Sequence, residues 1–209
     1  MSNTFVEILD NFYPDPLTIR NLALSLDYSP KAGANYPGGE AYSDTVDWAP
    51  VKQQVFSCVQ SKNEEKPIPG KNFLQGKFRL ANSADNETRP DGVHQDQQRY
   101  SAVIYLSRNQ DVSGGIGLYK CKGSGELAMT TKWVQMISIR SNAVPGDEAF
   151  TAYLKSYMRD WDNWQQIGEL PMQFNRAIIL MSRCFHASTG LFGSSKIDGR
   201  LTQHFEYYI

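Results

Sequence analysis

This chain of 209 residues has no surplus of charge of either sign and no long apolar run. Lys and Arg total 21 against 22 Asp and Glu, which leaves a formal charge of −1. Because there is no basic field to attract nucleic acid, we expect no nucleic-acid partner. No apolar segment approaches membrane-spanning length, so we expect no membrane partner either.

Cysteine and histidine are both scarce, with three residues of each. Cys58, Cys121 and Cys184 are odd in number and far apart, which favours free thiols in a reducing compartment over a disulfide framework. The first residues, 1–5, have neither the basic start nor the apolar core of a secretory signal. We therefore predict a cytoplasmic protein.

The overall composition is typical of one globular domain, with 41% hydrophobic and 21% charged residues. We predict a single domain over residues 1–209, in which 1–70 form a helical layer and 71–209 a β-rich core. Asp15-Pro16 has the form of a helix N-cap followed by proline at the first helical position. Apolar residues recur at helical spacing after it, and again after Pro50.

Strand-like runs dominate the rest of the chain, apart from a first short run at Phe5–Leu9. The predicted strands are Phe73–Ala81, Tyr100–Ser107, Ile116–Lys120, Trp133–Arg140, Phe174–Ser182 and Leu201–Ile209. Between 147 and 164 the apolar spacing predicts a helical insert. Short strands preceded by helices indicate a mainly β (α+β) fold, a sandwich or jelly roll with N-terminal helices packed on one sheet.

Two of the three histidines and one aspartate form a candidate metal site. In an extended His94-Gln95-Asp96 segment, His94 and Asp96 project from the same face. His186 follows the apolar run 176–181, which would bring it in from a neighbouring strand. Two imidazoles and one carboxylate are the ligand set of non-haem Fe(II) oxygenases, although they also bind Mn(II), Co(II) or Zn(II).

The same three residues have an ordinary explanation. His94 and Asp96 are compatible with solvated loop residues after the Asp91-Gly92 turn, and His186 with a strand-end histidine in the core. A short motif of this kind is a hypothesis, so the spacing alone leaves both explanations open.

The last predicted strand adds a second clue. Its alternation places four polar residues on one face, namely Arg200, Thr202, His204 and Glu206. An arginine fork matches a carboxylate, and a threonine hydroxyl two residues later can add a hydrogen bond. The pair suits the distal carboxylate of a dicarboxylic co-substrate, while a solvent-facing polar stripe explains the pattern equally well.

Taken in order, these residues resemble the Fe(II)/2-oxoglutarate-dependent dioxygenases, particularly the prolyl-4-hydroxylase-like branch. The family order is His-x-Asp, a strand ending in Tyr-Leu-Asn or similar, a Gly-Gly turn, a distal His and a basic residue. The matching residues here are His94-Gln95-Asp96, Tyr105-Leu106-Ser107, Gly114-Gly115, His186 and Arg200-x-Thr202. The likeness covers about half of the chain, from residue 94 to the C-terminus.

The resemblance implies a double-stranded β-helix in which His94, Asp96 and His186 bind Fe(II). It also implies that Arg200 and Thr202 bind the C5 carboxylate of 2-oxoglutarate, with the Tyr105 hydroxyl reaching the same group. Such an enzyme consumes O2 and 2-oxoglutarate, hydroxylates a substrate, and releases succinate and CO2. Tyr105 is also compatible with an ordinary core aromatic residue.

Two departures from the family pattern bear on these roles. The step from His186 to Arg200 is long, so Arg183 or Arg176 competes for the carboxylate-binding role. The insert at 147–164 has no counterpart in the simplest prolyl hydroxylases, and we predict a packing helix there in preference to a substrate lid.

Two other classes of protein stay open. A cupin-like metal enzyme would use the same triad without 2-oxoglutarate, and a non-enzymatic jelly-roll binding module would need no metal. The sequence determines neither the substrate, whether a small molecule or a peptidyl group, nor the oligomeric state.

Overall fold

The computed structural model describes residues 6–30, 36–60, 68–69, 74–86 and 92–208. Its strands are β1 Val6–Leu9, β2 Gly39–Ala41, β3 Ile68–Pro69, β4 Lys77–Ala81, β5 Tyr100–Tyr105, β6 Gly115–Cys121, β7 Trp164–Pro171, β8 Ala177–Met181, β9 His186–Ser188 and β10 Arg200–Tyr208. Its helices are α1 Pro16–Ser25, α2 Ala49–Gln60, α3 Thr131–Ser141 and α4 Glu148–Arg159, with short 3-10 turns at Ser83–Asn86 and Trp161–Asn163. Three terminal residues of predicted strands lie outside the described residues. They are Phe5 and Phe73, which begin their strands, and Ile209, which ends the last strand.

The strands form two antiparallel sheets, as the sequence led us to expect. The larger sheet has the order β1-β8-β5-β10-β4-β2, and β3 pairs with β10. The smaller sheet has the order β7-β6-β9 and is extended by a bridge between His94 and His186. This mostly β architecture with added helices is compatible with a jelly roll.

The first two helices cover the outer face of the larger sheet. Asp15 caps α1 by accepting a hydrogen bond from the Thr18 backbone N–H at 3.2 Å, and Pro16 follows it as predicted. Ala23 of α1 and Val55 and Val59 of α2 are fully buried in one cluster with residues of β4, β5 and β10. Burial of this stripe holds the N-terminal helices on the sheet.

The inner face of the larger sheet meets the smaller sheet. Val103, Tyr105 and Ile178 pack here with Ile116 of β6. On β10, alternate residues point outward to the helices, which leaves the polar residues 200, 202, 204 and 206 on the inner face. A row of polar groups is therefore enclosed between the two sheets.

The prediction of a strand at Trp133–Arg140 is wrong, because this segment lies in α3. The Thr130 hydroxyl caps the helix by accepting the Trp133 backbone N–H at 3.2 Å, and Asn142 ends it in a left-handed conformation with φ of 51°. The β-branched residues that suggested a strand are tolerated because Trp133 and Ile137, one turn apart, pack against the smaller sheet.

The predicted helical insert at 147–164 is confirmed in its middle part. Helix α4 runs over Glu148–Arg159, and Trp164 already begins β7. Phe150 and Tyr157 pack with α3 against the outer face of the smaller sheet. Strand β7 was not predicted, because most of its residues are exposed and its apolar residues Trp164, Ile167 and Leu170 are three apart, without the alternation of a strand.

The three cysteines are free thiols in the structure, which confirms the expectation that they form no disulfide framework. Across the described parts of the chain, no helix has the length and apolar character needed to cross a membrane.

A pair of substitutions on α3 tests the helix. Ile137 is fully buried and Ile139 is 80% exposed, whereas a strand would put both on one face. We expect Ile137→Ala to lower the free energy of unfolding by roughly 2–5 kcal/mol. Ile139→Ala should change it by no more than about 0.5 kcal/mol. Equal losses from the two variants in urea unfolding would contradict the helix.

Candidate metal centre

His94 and His186 are held side by side by a short stretch of antiparallel pairing. Each backbone N–H donates to the other residue's carbonyl, both at 2.9 Å. His186 therefore begins β9 in the smaller sheet, and the expectation that the run 176–181 would carry it is wrong. That run is β8 of the larger sheet, and it ends at Met181 before the chain crosses to the smaller sheet.

Asp96 faces the same way as His94, as predicted from strand alternation. Its backbone N–H donates to the Ser182 carbonyl at 2.9 Å, which holds the segment extended. Gln95 points away, and its side-chain oxygen accepts the Met129 backbone N–H at 2.8 Å. The two candidate ligands thus share one face because the residue between them is tied to the other side.

The three side chains converge on one point. One ligand atom from each of His94, Asp96 and His186 lies within 4.8 Å of the others. His94 Nε2 is 3.8 Å from one oxygen of Asp96, and His186 Nε2 is 3.6 Å from the other. These separations are too long for strong hydrogen bonds. They are compatible with three ligand atoms arranged around one metal ion.

Both imidazoles are oriented by their remaining nitrogen. His94 Nδ1 lies 3.1 Å from the Gly92 carbonyl, and His186 Nδ1 lies 2.8 Å from the Cys184 carbonyl. A carbonyl can only accept, so each Nδ1 carries the hydrogen. Each Nε2 is then turned toward Asp96, which is the arrangement that metal-binding histidines use.

Asp96 is positioned by two further polar residues. The Ser101 hydroxyl donates to Asp96 Oδ2 at 3.2 Å, and the Gln98 amide donates to Ser101 at 3.0 Å. Gln98 therefore lies behind Ser101, where it orients the carboxylate indirectly.

The charges within the triad favour an ionised Asp96. Burial raises the pKa of Asp96, but the contact with His186 and the charges of His186 and His94 outweigh burial, so the pKa falls to about 2. Burial lowers the pKa of His186, yet Asp96 and the Cys184 side chain raise it to about 10. Without a metal the two residues therefore form an ion pair, and a bound metal ion would take the place of the His186 proton beside the carboxylate.

A second group of polar atoms lies buried without partners. Arg200 Nε, Tyr105 Oη and Tyr36 Oη are each shielded from solvent and make no hydrogen bond. The Arg200 guanidinium carbon lies 5.7 Å from the centre of the Tyr105 ring. Burial raises the pKa of both tyrosines to about 12, while the nearby charge of Arg200 opposes that rise. A guanidinium and two neutral hydroxyls are a donor set for an anion.

Tyr36 was not predicted as a site residue, because it lies far from the other motifs in sequence. It reaches the site because Gly38 allows its segment to run against β4. Gly38 has φ of +88°, and a Cβ there would lie 2.2 Å from the Leu80 carbonyl oxygen. The only available sequence signal was the Tyr36-Pro37-Gly38-Gly39 run, which predicts a turn but no role.

The predicted partner Thr202 is fully buried beside Arg200. Its hydroxyl lies 2.9 Å from His204 Nε2 and 3.5 Å from the Arg79 carbonyl. Burial, with the charges of Arg79, Lys77 and Arg200, lowers the pKa of His204, so this histidine is neutral. If His204 Nε2 donates to the Thr202 hydroxyl, the hydroxyl hydrogen is engaged only in the long 3.5 Å hydrogen bond to the Arg79 carbonyl, which a closer acceptor would replace.

The two arginines that compete with Arg200 for the carboxylate-binding role have different surroundings. Arg176 Nε donates to Asp10 at 2.6 Å in an ion pair, and Arg183 is exposed. Arg200, in contrast, is 2% exposed, and its side chain donates a long hydrogen bond of 3.5 Å to the Gly115 carbonyl. Gly115 is required there, because a Cβ would lie 2.0 Å from the Leu170 carbonyl oxygen.

The chain belongs to the protein family described as "Family of unknown function (DUF6445)", whose model matches residues 1–205. No curated protein sequence matches it.

Several solved structures are similar to the fold. HygX from Streptomyces hygroscopicus, with nickel and 2-oxoglutarate bound, is 11% identical, has a TM-score of 0.52, and the match covers 98% of this chain and 83% of HygX. AviO1 from Streptomyces viridochromogenes Tue57 is 12% identical with a TM-score of 0.47, covering 99% and 90%. An N-substituted L-amino acid dioxygenase from Burkholderia ambifaria AMMD is 10% identical with a TM-score of 0.39, covering 97% and 81%. At this identity, the HygX match shows a shared fold.

Proposed function

We propose that this protein is an Fe(II)- and 2-oxoglutarate-dependent dioxygenase that hydroxylates a substrate, of the prolyl-4-hydroxylase-like branch. One observation carries the proposal. The same inner space contains a two-histidine, one-carboxylate cluster and a buried guanidinium whose Nε has no partner. A metal site alone would not require the second feature.

We further propose that the two sheets form a double-stranded β-helix. From β4 onward the chain crosses repeatedly between the two sheets. Strands β4, β5, β8 and β10 belong to the larger sheet. The segments between them in sequence, namely the His94 segment, β6 with β7, and β9, belong to the smaller sheet. The order β8-β5-β10-β4 faces β7-β6-β9-His94, with four strands on each side. Alternating antiparallel strands of this kind wind around one shared interior.

The triad fits Fe(II). His94, Asp96 and His186 would hold the metal through two Nε2 atoms and one carboxylate, a facial set that leaves positions for other ligands. The backbone carbonyls behind each Nδ1 and the Ser101 hydroxyl behind Asp96 supply the outer partners that such sites use.

The buried anion site fits the distal carboxylate of 2-oxoglutarate. Unpaired buried donors are rare, because leaving one unsatisfied costs about 1–3 kcal/mol. A carboxylate would accept from Arg200 Nε, Tyr105 Oη and Tyr36 Oη at once, and Thr202 would add a fourth donor. HygX, whose fold the chain shares, holds nickel and 2-oxoglutarate.

Fe(II) with 2-oxoglutarate and O2 supplies oxidative decarboxylation, in which 2-oxoglutarate, O2 and a C–H bond become succinate, CO2 and a C–OH bond. The residues of this chain supply placement. Ser101 keeps Asp96 oriented, and Arg200 with the two tyrosines binds the co-substrate's far end away from water. The role of the protein is therefore positioning and exclusion of side reactions.

The proposal is tested by adding Fe(II) and then 2-oxoglutarate to the protein without oxygen. We expect the weak visible charge-transfer band of the chelate, and succinate formation once O2 is admitted. Metal binding with no band would indicate a cupin-like enzyme that does not use 2-oxoglutarate. No metal by elemental analysis of untagged protein would indicate a binding module.

Tyr36 offers a test of the anion site. We expect Tyr36→Phe to raise the dissociation constant of 2-oxoglutarate about tenfold, since a hydrogen bond to a charged group contributes roughly 1.5 kcal/mol or more. The measurement is titration of the charge-transfer band. 2-Oxopentanoate, which lacks the distal carboxylate, should bind Tyr36→Phe and wild type alike. The matched control is Tyr42→Phe, because Tyr42 is exposed on the same segment.

A further inference from the structure

Glu206 is a buried carboxylate on the inner face of β10 that the proposed reaction does not use. Its residue is 8% exposed, and none of the described residues forms a hydrogen bond or ion pair with the carboxylate. Its backbone is fixed by Gln75, whose side chain accepts the Glu206 N–H at 3.0 Å and donates to its carbonyl at 2.7 Å. The backbone of Glu206 is thus held in place, and its carboxylate has no direct partner among the described residues.

The nearest basic residues are bound to a different acid. Lys77 Nζ and Arg79 Nε both donate to Glu40 Oε1, at 2.7 and 2.8 Å. His204, the neighbour of Glu206 on the same face, is neutral. Lys77 and Arg79 therefore interact with the Glu206 carboxylate only through longer-range electrostatics. An ionised carboxylate in this position lacks the directly paired cation that buried charges normally have.

Glu206 lies next to the metal centre. In the register of the sheet it stands opposite Ser101, whose hydroxyl donates to Asp96. Burial and the negative charge of Asp96 raise the pKa of Glu206 to about 7, which agrees with this closeness. Arg200 and Glu206 stand toward opposite ends of the inner face of β10, with Thr202 and His204 between them. A co-substrate whose distal carboxylate lies at Arg200 and whose other end lies at the triad leaves the Glu206 end of this face to the substrate.

We propose that Glu206 binds a positively charged group of the substrate, an ammonium or a guanidinium, and that the enzyme hydroxylates basic amino compounds. This rests on the proposed dioxygenase function. A cation placed here would pair directly with the Glu206 carboxylate through charge-assisted hydrogen bonds, which are the stronger kind. A neutral analogue would leave the carboxylate unpaired, and such sites discriminate strongly against it.

The experiment uses the protein loaded with Fe(II) and 2-oxoglutarate without oxygen, and pairs of probes that differ by one charge. The pairs are L-lysine with Nε-acetyl-L-lysine and L-arginine with L-citrulline, each as the free amino acid and within a Gly-X-Gly tripeptide. We expect the basic member of at least one pair to shift the charge-transfer band, and its neutral partner to require at least tenfold higher concentration. The free and tripeptide arms distinguish a small substrate from a peptidyl one.

Glu206→Gln should remove that preference, so that the basic and neutral probes act within about threefold of each other. Glu148→Gln, an exposed acid on α4, should keep it. The proposal is overturned if Glu206→Gln keeps the preference, if neutral and basic probes act alike on wild type, or if no probe shifts the band. Absence of the band before any probe is added would instead count against the dioxygenase itself.

Melting of the metal-free protein gives a second readout that does not depend on loading. Because the folded-state pKa of Glu206 is raised, its ionisation opposes folding as the pH rises from the unfolded value toward and beyond 7. At pH 8 we expect Glu206→Gln to melt several degrees above wild type, and at pH 4 to melt at the same temperature. A lower melting temperature at pH 8 would show that Glu206 is already paired within the protein.

Discussion

Replacing His186 with alanine is expected to abolish the charge-transfer band of the protein with Fe(II) and 2-oxoglutarate. His186 supplies one of three converging ligand atoms, and its Nε2 lies 3.6 Å from Asp96. Removal of a residue that only orients a metal ligand costs roughly 10- to 100-fold in affinity. Loss of a ligand itself should therefore weaken Fe(II) binding by more than about 100-fold, measured by titration under anaerobic conditions.

The control for this variant is the third histidine. His204 is as buried as His186, but it contacts Thr202 and not Asp96. His204→Asn should retain the band at saturating 2-oxoglutarate, and circular dichroism should show both variants folded. An unchanged band in folded His186→Ala would remove His186 from the metal site and with it the proposed function.

Replacing Arg200 with methionine is expected to have the second largest effect, a rise of at least about 30-fold in the dissociation constant of 2-oxoglutarate. Truncating one member of a buried charge pair costs roughly 2–5 kcal/mol, and Arg200 is nearly fully buried with its Nε unpaired. Methionine fills similar space without the charge. The loss should appear in titrations of the charge-transfer band, while Fe(II) affinity stays at the wild-type value.

Arg176→Met is the matched control. Arg176 competed with Arg200 in the sequence, but in the structure it forms an ion pair with Asp10 near the surface. We expect it to leave 2-oxoglutarate binding unchanged. With 2-oxopentanoate, which has no distal carboxylate, Arg200→Met and wild type should bind equally. A comparable loss with both acids would assign Arg200 a structural role only.

Much of the architecture followed from local patterns. The run at 100–107 is rich in β-branched and aromatic residues, and β5 forms there. Asp15-Pro16 begins α1 because its capping chemistry is local. The strand prediction at 133–140 was wrong, because the β-branched residues of this segment lie in a helix. The packing of Trp133 and Ile137 outweighs helix-propensity differences, which are well below about 1 kcal/mol per residue.

Other features had no local signal. Strand β7 is mostly exposed, and its apolar residues Trp164, Ile167 and Leu170 lack the two-residue period that marks a strand. Tyr36 and Glu206 are unremarkable in the sequence. The Tyr36 hydroxyl gains its interest from being buried without a hydrogen bond, and Glu206 from being a nearly buried acid opposite Ser101. Burial and pairing are properties of the folded chain.

The sequence by itself determined which candidate residues share a strand face. Because strand side chains alternate, His94 and Asp96 had to share a face, and so did Arg200 and Thr202. Only the tertiary structure decided which groups meet. It paired His94 with His186 across two distant segments, separated Arg200 from Arg176, brought Tyr36 to Arg200, and left Glu206 without a cation beside the triad. The reason is physical: the energy of a charge depends on what surrounds it after folding, and sequence spacing does not record those surroundings.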